Sequence, residues 1–403
     1  MQREDEDAVA KTDDVTTDAK RPVYLHVGSR KSGTSYLQAA ILASQRALRE
    51  QGVGLPLPGR GKQMQQILAP LRQFDDEQPP PQTRQAMTRL AKRLAEDEAP
   101  RLLLTLEDLA ELDASKAALL VDALSDFEAH IVITARDWSR QIPSEWQQCV
   151  KERMLATYPE FARRIRDGAP DAQLFLARQD VAGIASRWGA SLPPERVHIV
   201  AVPRAKTDPG RLVRLFAGVV GFDPESLEPA GSVNRSLGYE QAETLRRINV
   251  ALGDRLADVP GEYRFGVRLF IHRHALIRQD GTPFGLPPEL VGWCHEHSVA
   301  QAKELAERGY DIVGSLDDLI VPNEQAATDL EEVSDSQVAE VAVRALADLA
   351  VLRFRETKKH SEPPAGAGPS TTDEEGKPPG PRPRSRGALA RLLGRSDSAA
   401  DRD

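Results

Sequence analysis

The residues with the clearest chemical meaning lie close together near the N-terminus, in VYLHVGSRKSGTSYLQ at positions 23–38. Lys31, Ser32, Thr34 and Ser35 are set around Gly28 and Gly33. A lysine, three hydroxyls and flexible backbone at this density suit one kind of ligand, a phosphate-like anion. Backbone N–H groups of such a loop, with the start of a following helix, supply donors and a positive field. The flanks supply both supports. Val23, Leu25 and Val27 alternate as in a strand, and Leu37, Ile41, Leu42 and Leu48 fall at helical spacing.

The spacing narrows the ligand. The common nucleotide-triphosphate loop reads G-x-x-x-x-G-K-[ST]. Gly28 and Gly33 keep the glycine spacing, but Thr34 stands where that lysine belongs, and Lys31 precedes the second glycine. This displacement counts against an ordinary kinase or ATPase. A second group comes from HIVITARDWSRQIPSEW, where Arg136 follows an apolar strand and Ser144 follows eight residues later. Arginine presents a fork of donors to a dianionic phosphate. Pro143 interrupts helical propensity, so the reading starts a helix at about Ser144, whose hydroxyl and free N–H groups would face an anion.

KSGTSYLQ after a strand and HVG resembles the 5′-phosphosulfate loop of sulfotransferases, K-[ST]-G-T-[ST]. Arg136 with Ser144 resembles the pair that binds the 3′-phosphate of their donor. RDWSRQIPSEWQQCVK and NRSLGYEQAETLRRIN further resemble bacterial, mainly actinobacterial, sulfotransferase-like proteins, over roughly 23–255. The resemblance implies a sulfotransferase using 3′-phosphoadenosine 5′-phosphosulfate (PAPS), with 3′-phosphoadenosine 5′-phosphate as product and no metal. Its donor site would comprise Arg30, Lys31, Ser32, Gly33, Thr34, Ser35, Tyr36, Arg136 and Ser144. The catalytic residues would be Lys31, against charge on the leaving phosphate, and Glu107, as general base to an acceptor hydroxyl or amine.

Glu107 ends the apolar run RLLLTLEDL, and its alternative role is to cap the next helix. Asp108 adjoins it, and His26 on the first strand is a second candidate base. Tyr36 and Trp138 are candidates to stack on adenine, or core residues. His272 and His274 form an H-x-H pair with no third ligand at useful spacing, so no metal site is read there. Two readings compete with sulfuryl transfer, a Mg²⁺-dependent P-loop kinase and a catalytically degenerate nucleotide-binding scaffold.

The elements that must position these residues follow from the remaining pattern. Apolar runs at 101–105, 130–137 and 195–204 alternate with helical segments. Uninterrupted apolar strands in β-α steps predict a parallel sheet covered on both faces, a three-layer α/β/α fold. Further helices are expected at 62–74, 82–98, 114–127, 234–252 and 287–309, and Ser334 with Gln337 has capping-box spacing before a helix over 330–354. The expected boundaries are an acidic disordered arm at 1–20, the α/β domain at 21–325, a helical extension at 326–358 and a Pro/Gly/Ser-rich disordered tail at 359–403. Within the tail, basic GALARLLGR (387–395) would be a weak docking or membrane-surface segment, or simply solvated.

Among 403 residues, 40% are hydrophobic, enough for a substantial core, and the net charge of −8 argues against non-specific nucleic-acid binding. Cys149 and Cys294 are the only cysteines and lie far apart, which suits a reducing, cytoplasmic setting. No apolar run approaches the roughly 20 residues of a membrane span. The acceptor, a small molecule, glycan or lipid, is not specified by any motif.

Overall fold

The structure is a computed structural model describing residues 20–74, 78–204, 208, 210–229, 236–256, 261–324 and 331–361. The acidic arm, apart from Lys20, lies outside the described residues. So do the tail beyond 361, with its basic segment at 387–395, and Asn234 and Arg235 of the second resemblance string.

Among the described residues six parallel strands form one sheet in the order β2-β3-β1-β4-β5-β6. They are β1 Pro22–Gly28, β2 Val53–Gly54, β3 Arg101–Thr105, β4 Glu128–Ala135, β5 Val197–Ala201 and β6 Asp311–Val313. The alternation in β1 explains the layers. Val23, Leu25 and Val27 point to one face with Leu102, Leu104, Ile131, Ile133 and Ile199. Helices Pro81–Ala95, Ala114–Asp122 and Val181–Gly189 bury Leu90, Leu120 and Trp188 there. Leu103, Val132 and Val200 point to the other face. It is closed by helices Thr34–Ala43 and Arg211–Val220 through Leu37, Ile41 and Phe216. The three-layer α/β/α architecture is therefore as expected.

A second core lies among helices Trp138–Lys151, Tyr158–Arg166, Tyr239–Leu252 and Pro288–Glu307, around fully buried Trp146, Tyr158, Leu245 and Leu290. One expected boundary is corrected here. The helix expected from about Ser144 begins at Trp138, and Pro143 sits inside it. Pro143 forgoes one backbone bond, a cost of about 3 kcal/mol in an ordinary helix. Two features offset it. The side chain of buried Asp137 caps the helix by accepting from the Arg140 N–H, and Trp138, Ile142, Trp146 and Val150 bury a continuous stripe. Ser144 is consequently two turns inside the helix and not at its N-terminus.

The chain divides into two units, 1–352 and 353–403. Of the second, only the end of the helix Asp335–Ser361 is described. That helix carries the capping box, with the Ser334 hydroxyl and N–H both bonded to Gln337 Oε1. Edge strand β6 and a π-helix at Arg264–His272 were not anticipated. Among the described residues no helix is long and apolar enough to cross a membrane.

Candidate functional site

The loop leaves β1 at the centre of the sheet, between β3 and β4. Chain order reverses about β1, and parallel α/β sheets bind ligands beyond the carboxyl ends of strands at such a point. Gly28 is required where the turn begins. Its φ is +138°, and a Cβ there would lie 2.8 Å from the Ala110 Cβ and 3.1 Å from the Glu107 carbonyl oxygen. Gly33, at φ +95°, then starts the helix Thr34–Ala43 in the left-handed region.

Hydrogen bonds to β4 hold the loop's shape. The Ser29 N–H donates to the Thr134 carbonyl at 2.9 Å, and the Ser32 hydroxyl donates to the Ser29 carbonyl at 2.6 Å. Ser32 Oγ also meets Thr134 Oγ1 at 2.6 Å. Gln141 Nε2 donates to the Arg30 carbonyl at 3.0 Å from the helix above. The hydroxyl of buried Ser32 is thus committed to the loop itself. Gly33, Ser35 and Tyr36 are exposed. The Tyr36 and Leu37 N–H groups donate to the Gly33 carbonyl, and those of Thr34 and Ser35, at the start of the helix, have no intrahelical acceptor.

Lys31, at φ +64°, has no side-chain hydrogen bond or ion pair among the described residues. Burial lowers its pKa, opposed by the nearby carboxylates of Glu145 and Glu107. Arg136 sits one residue past β4 and donates from Nη1 to the Lys31 carbonyl at 2.9 Å, so both cations belong to one assembly. Burial foremost, then the Arg140 charge, brings Arg136 down to about 10, still cationic at neutral pH. Ser144 is half-buried, and its hydroxyl has no partner among the described residues.

The end of β3 reaches the same place. The Thr34 hydroxyl donates to Glu107 Oε2, putting a buried carboxylate at the first turn of the loop's helix. Asp108 turns away into an ion pair with Arg60. His26 does not present a free nitrogen. Its Nδ1 lies 2.8 Å from Thr105 Oγ1 and its Nε2 3.3 Å from Thr134 Oγ1, and burial holds its pKa down to about 4. It is a neutral sheet residue packed edge-on against Phe216.

Other expectations separate in the same way. Trp138 is buried against Phe175 and Trp293, with ring centroids 5.8 and 5.5 Å away, so it is a core residue. Tyr36 is 41% exposed beside the loop and remains available to a ligand. Arg30 points inward, to a 3.2 Å ion pair with Glu152.

Charges around Arg30 were not foreseen. Glu145 is fully buried, has no hydrogen-bond partner among the described residues, and stands 3.7 Å from Arg178. Burial raises its pKa against the pull of Arg30, Arg178 and Lys31. Gln141, Glu145, Gln148 and Glu152 recur at helical spacing, which marks one face, but their depth is a tertiary property. Lys31 and Arg268 both act on Lys151, and the charges of all three act on His272. Among the described residues no group of three or more His, Cys, Asp or Glu side chains is arranged to hold a metal ion.

The site therefore brings together Lys31, without a side-chain partner among the described residues, Arg136, backbone N–H donors and the Glu107 carboxylate. No protein-family model and no curated protein matches the chain. Among solved structures it is similar to a sulfotransferase from Alicyclobacillus acidocaldarius, at 16% identity and a TM-score of 0.35. That match covers 60% of this chain and 99% of the other. At that score the likeness carries no functional argument.

Proposed function

We propose that the chain is a sulfotransferase that uses PAPS to sulfate a hydroxyl or amine. The observation that carries this reading is the convergence of Lys31, Arg136 and Glu107 at the carboxyl ends of three adjacent strands. The loop residues Lys31, Gly33, Thr34 and Ser35 would hold the 5′-phosphosulfate through the lysine and backbone N–H groups. Arg136 and Ser144 would hold the 3′-phosphate. Ser32 and Arg30 serve the site through the loop's shape. The bound donor supplies an electrophilic sulfur. Glu107 takes the proton of the acceptor as its oxygen or nitrogen bonds to sulfur, and the bond from sulfur to the 5′-phosphate oxygen breaks. Lys31 faces the charge left on that oxygen. Positioning and charge stabilisation provide most of the catalysis in this kind of transfer.

Calorimetric titration tests the reading. 3′-Phosphoadenosine 5′-phosphate should bind at least tenfold more tightly than ATP with Mg²⁺. Lys31→Ala and Arg136→Ala should each weaken it by about tenfold or more, since a hydrogen bond to a charged group contributes about 1.5–3 kcal/mol. Preference for ATP with Mg²⁺, or unchanged affinity in both variants, would overturn it.

A further inference from the structure

We infer that Lys151, Arg268 and His272 form a second anion subsite beside Lys31, and that the acceptor carries an anionic group which this subsite holds. The inference rests on the sulfotransferase reading for the word acceptor, not for the subsite itself.

Lys151 is the last residue of the helix Trp138–Lys151, seven residues beyond Ser144 and so on the same side two turns on. Arg268 and His272 lie one turn apart on the π-helix Arg264–His272, which packs against that helix. Widened turns of this kind concentrate at functional sites. One nitrogen of the His272 ring donates to the Arg268 carbonyl, while Nε2 is buried without a partner among the described residues.

The electrostatics match the geometry. Lys31, Lys151 and Arg268 each lack a hydrogen-bonded or ion-paired side-chain partner among the described residues. Lys31 and Arg268 nevertheless stand close enough to act on Lys151. Burial first, then the charges of Lys31 and Arg268, holds Lys151 down to about 7. Burial first, then the charges of Lys151, Arg268 and Lys31, holds His272 down to about 4. The opposing carboxylate is Glu152, which is already bonded to Arg30 and to Gln148 at 2.7 Å. Glu145 and Glu107 offset the charge of Lys31, but at Lys151 the neighbouring cations outweigh Glu152. That excess raises the free energy of the empty subsite, and a bound anion relieves the repulsion. The donor's two phosphate ends are served by the loop and by Arg136 with Ser144. The remaining cations therefore fall to the other substrate. A carboxylate, sulfate or phosphate ester on the acceptor is the chemistry they fit.

Inorganic sulfate is the probe, titrated at constant ionic strength into full-length protein saturated with 3′-phosphoadenosine 5′-phosphate. Lys151→Ala and Arg268→Ala should each weaken sulfate binding at least fivefold, while leaving nucleotide affinity within twofold. Lys151 is faced by Lys31 from the loop, by Arg268 and His272 from the π-helix, and by Glu152 beside it. Wild-type sulfate affinity should accordingly fall as pH rises through about 7, and Lys151→Arg should hold it to higher pH. Sulfate binding that is indifferent to both alanine variants would overturn the inference. So would a loss of nucleotide affinity as large as that of Arg136→Ala, which would assign these cations to the donor. If the nucleotide does not bind wild-type protein but sulfate binding still needs Lys151 and Arg268, the subsite stands and the sulfotransferase reading falls.

Discussion

At the scale of single residues, Glu107 and its neighbours show how contacts separate chemically similar candidates. Glu107, Asp108 and His26 were all possible bases by type. Asp108 is held by Arg60, and both His26 nitrogens are held by threonine hydroxyls of adjacent strands. Glu107 alone of the three meets the loop's own helix, through Thr34. Capping and base roles are compatible there, because a carboxylate accepting one hydroxyl bond keeps a second oxygen. Glu107→Gln preserves the acceptor for Thr34 but removes the basic oxygen. Turnover should fall about 10²- to 10⁴-fold, the usual contribution of a positioned base, with nucleotide affinity within twofold. Retained turnover in a steady-state sulfation assay would remove Glu107 as the base.

At the scale of elements, the loop works because three strands end together and one helix crosses above them. Gly28 marks how tightly β1 passes the segment after β3. An alanine there faces both an unfavourable φ of +138° and a contact of 2.8 Å with Ala110. Gly28→Ala should lower stability by about 2 kcal/mol or more, read as a lower urea midpoint. An unchanged midpoint would show that the loop's entry is looser than described. The helix Trp138–Lys151 makes the complementary point. Local propensity places its start after Pro143, but the Asp137 cap and four buried apolar residues extend it back to Trp138. That extension brings Gln141 over the loop and Ser144 and Lys151 onto one side.

For the whole molecule, buried histidines predict acid sensitivity. His26 titrates near 6.5 when unfolded but about 4 when folded, so the unfolded chain binds more protons across that interval. Stability present above pH 6.5 is therefore lost as pH falls towards 4, by about 3 kcal/mol for this fully buried ring. His272, also held down to about 4, and His130, lowered by burial, add in the same direction. Glu145, whose pKa is raised, acts in the opposite sense. Melting temperature should drop between pH 6.5 and 4, and His26→Gln should flatten part of that drop. An equal slope in the variant would disprove the burial of an uncharged His26.

What the sequence determined by itself was whatever is written in local pattern. Period-2 alternation in β1 and apolar runs in β3, β4 and β5 encode a two-sided sheet, because side chains alternate across a strand. The loop is legible for a similar reason, since glycine positions and a displaced lysine are covalent neighbours. Arg136 was legible as an arginine just past a strand. Only tertiary structure decided which charges are free and which are spent. Arg30 and Lys31 are adjacent in sequence, yet one is turned inward to Glu152 and the other is left unpaired. The gathering of Lys31 and Arg268 around Lys151 joins residues more than a hundred positions apart. No spacing rule reports such a meeting, because burial and pairing depend on long-range packing that local periodicity does not encode.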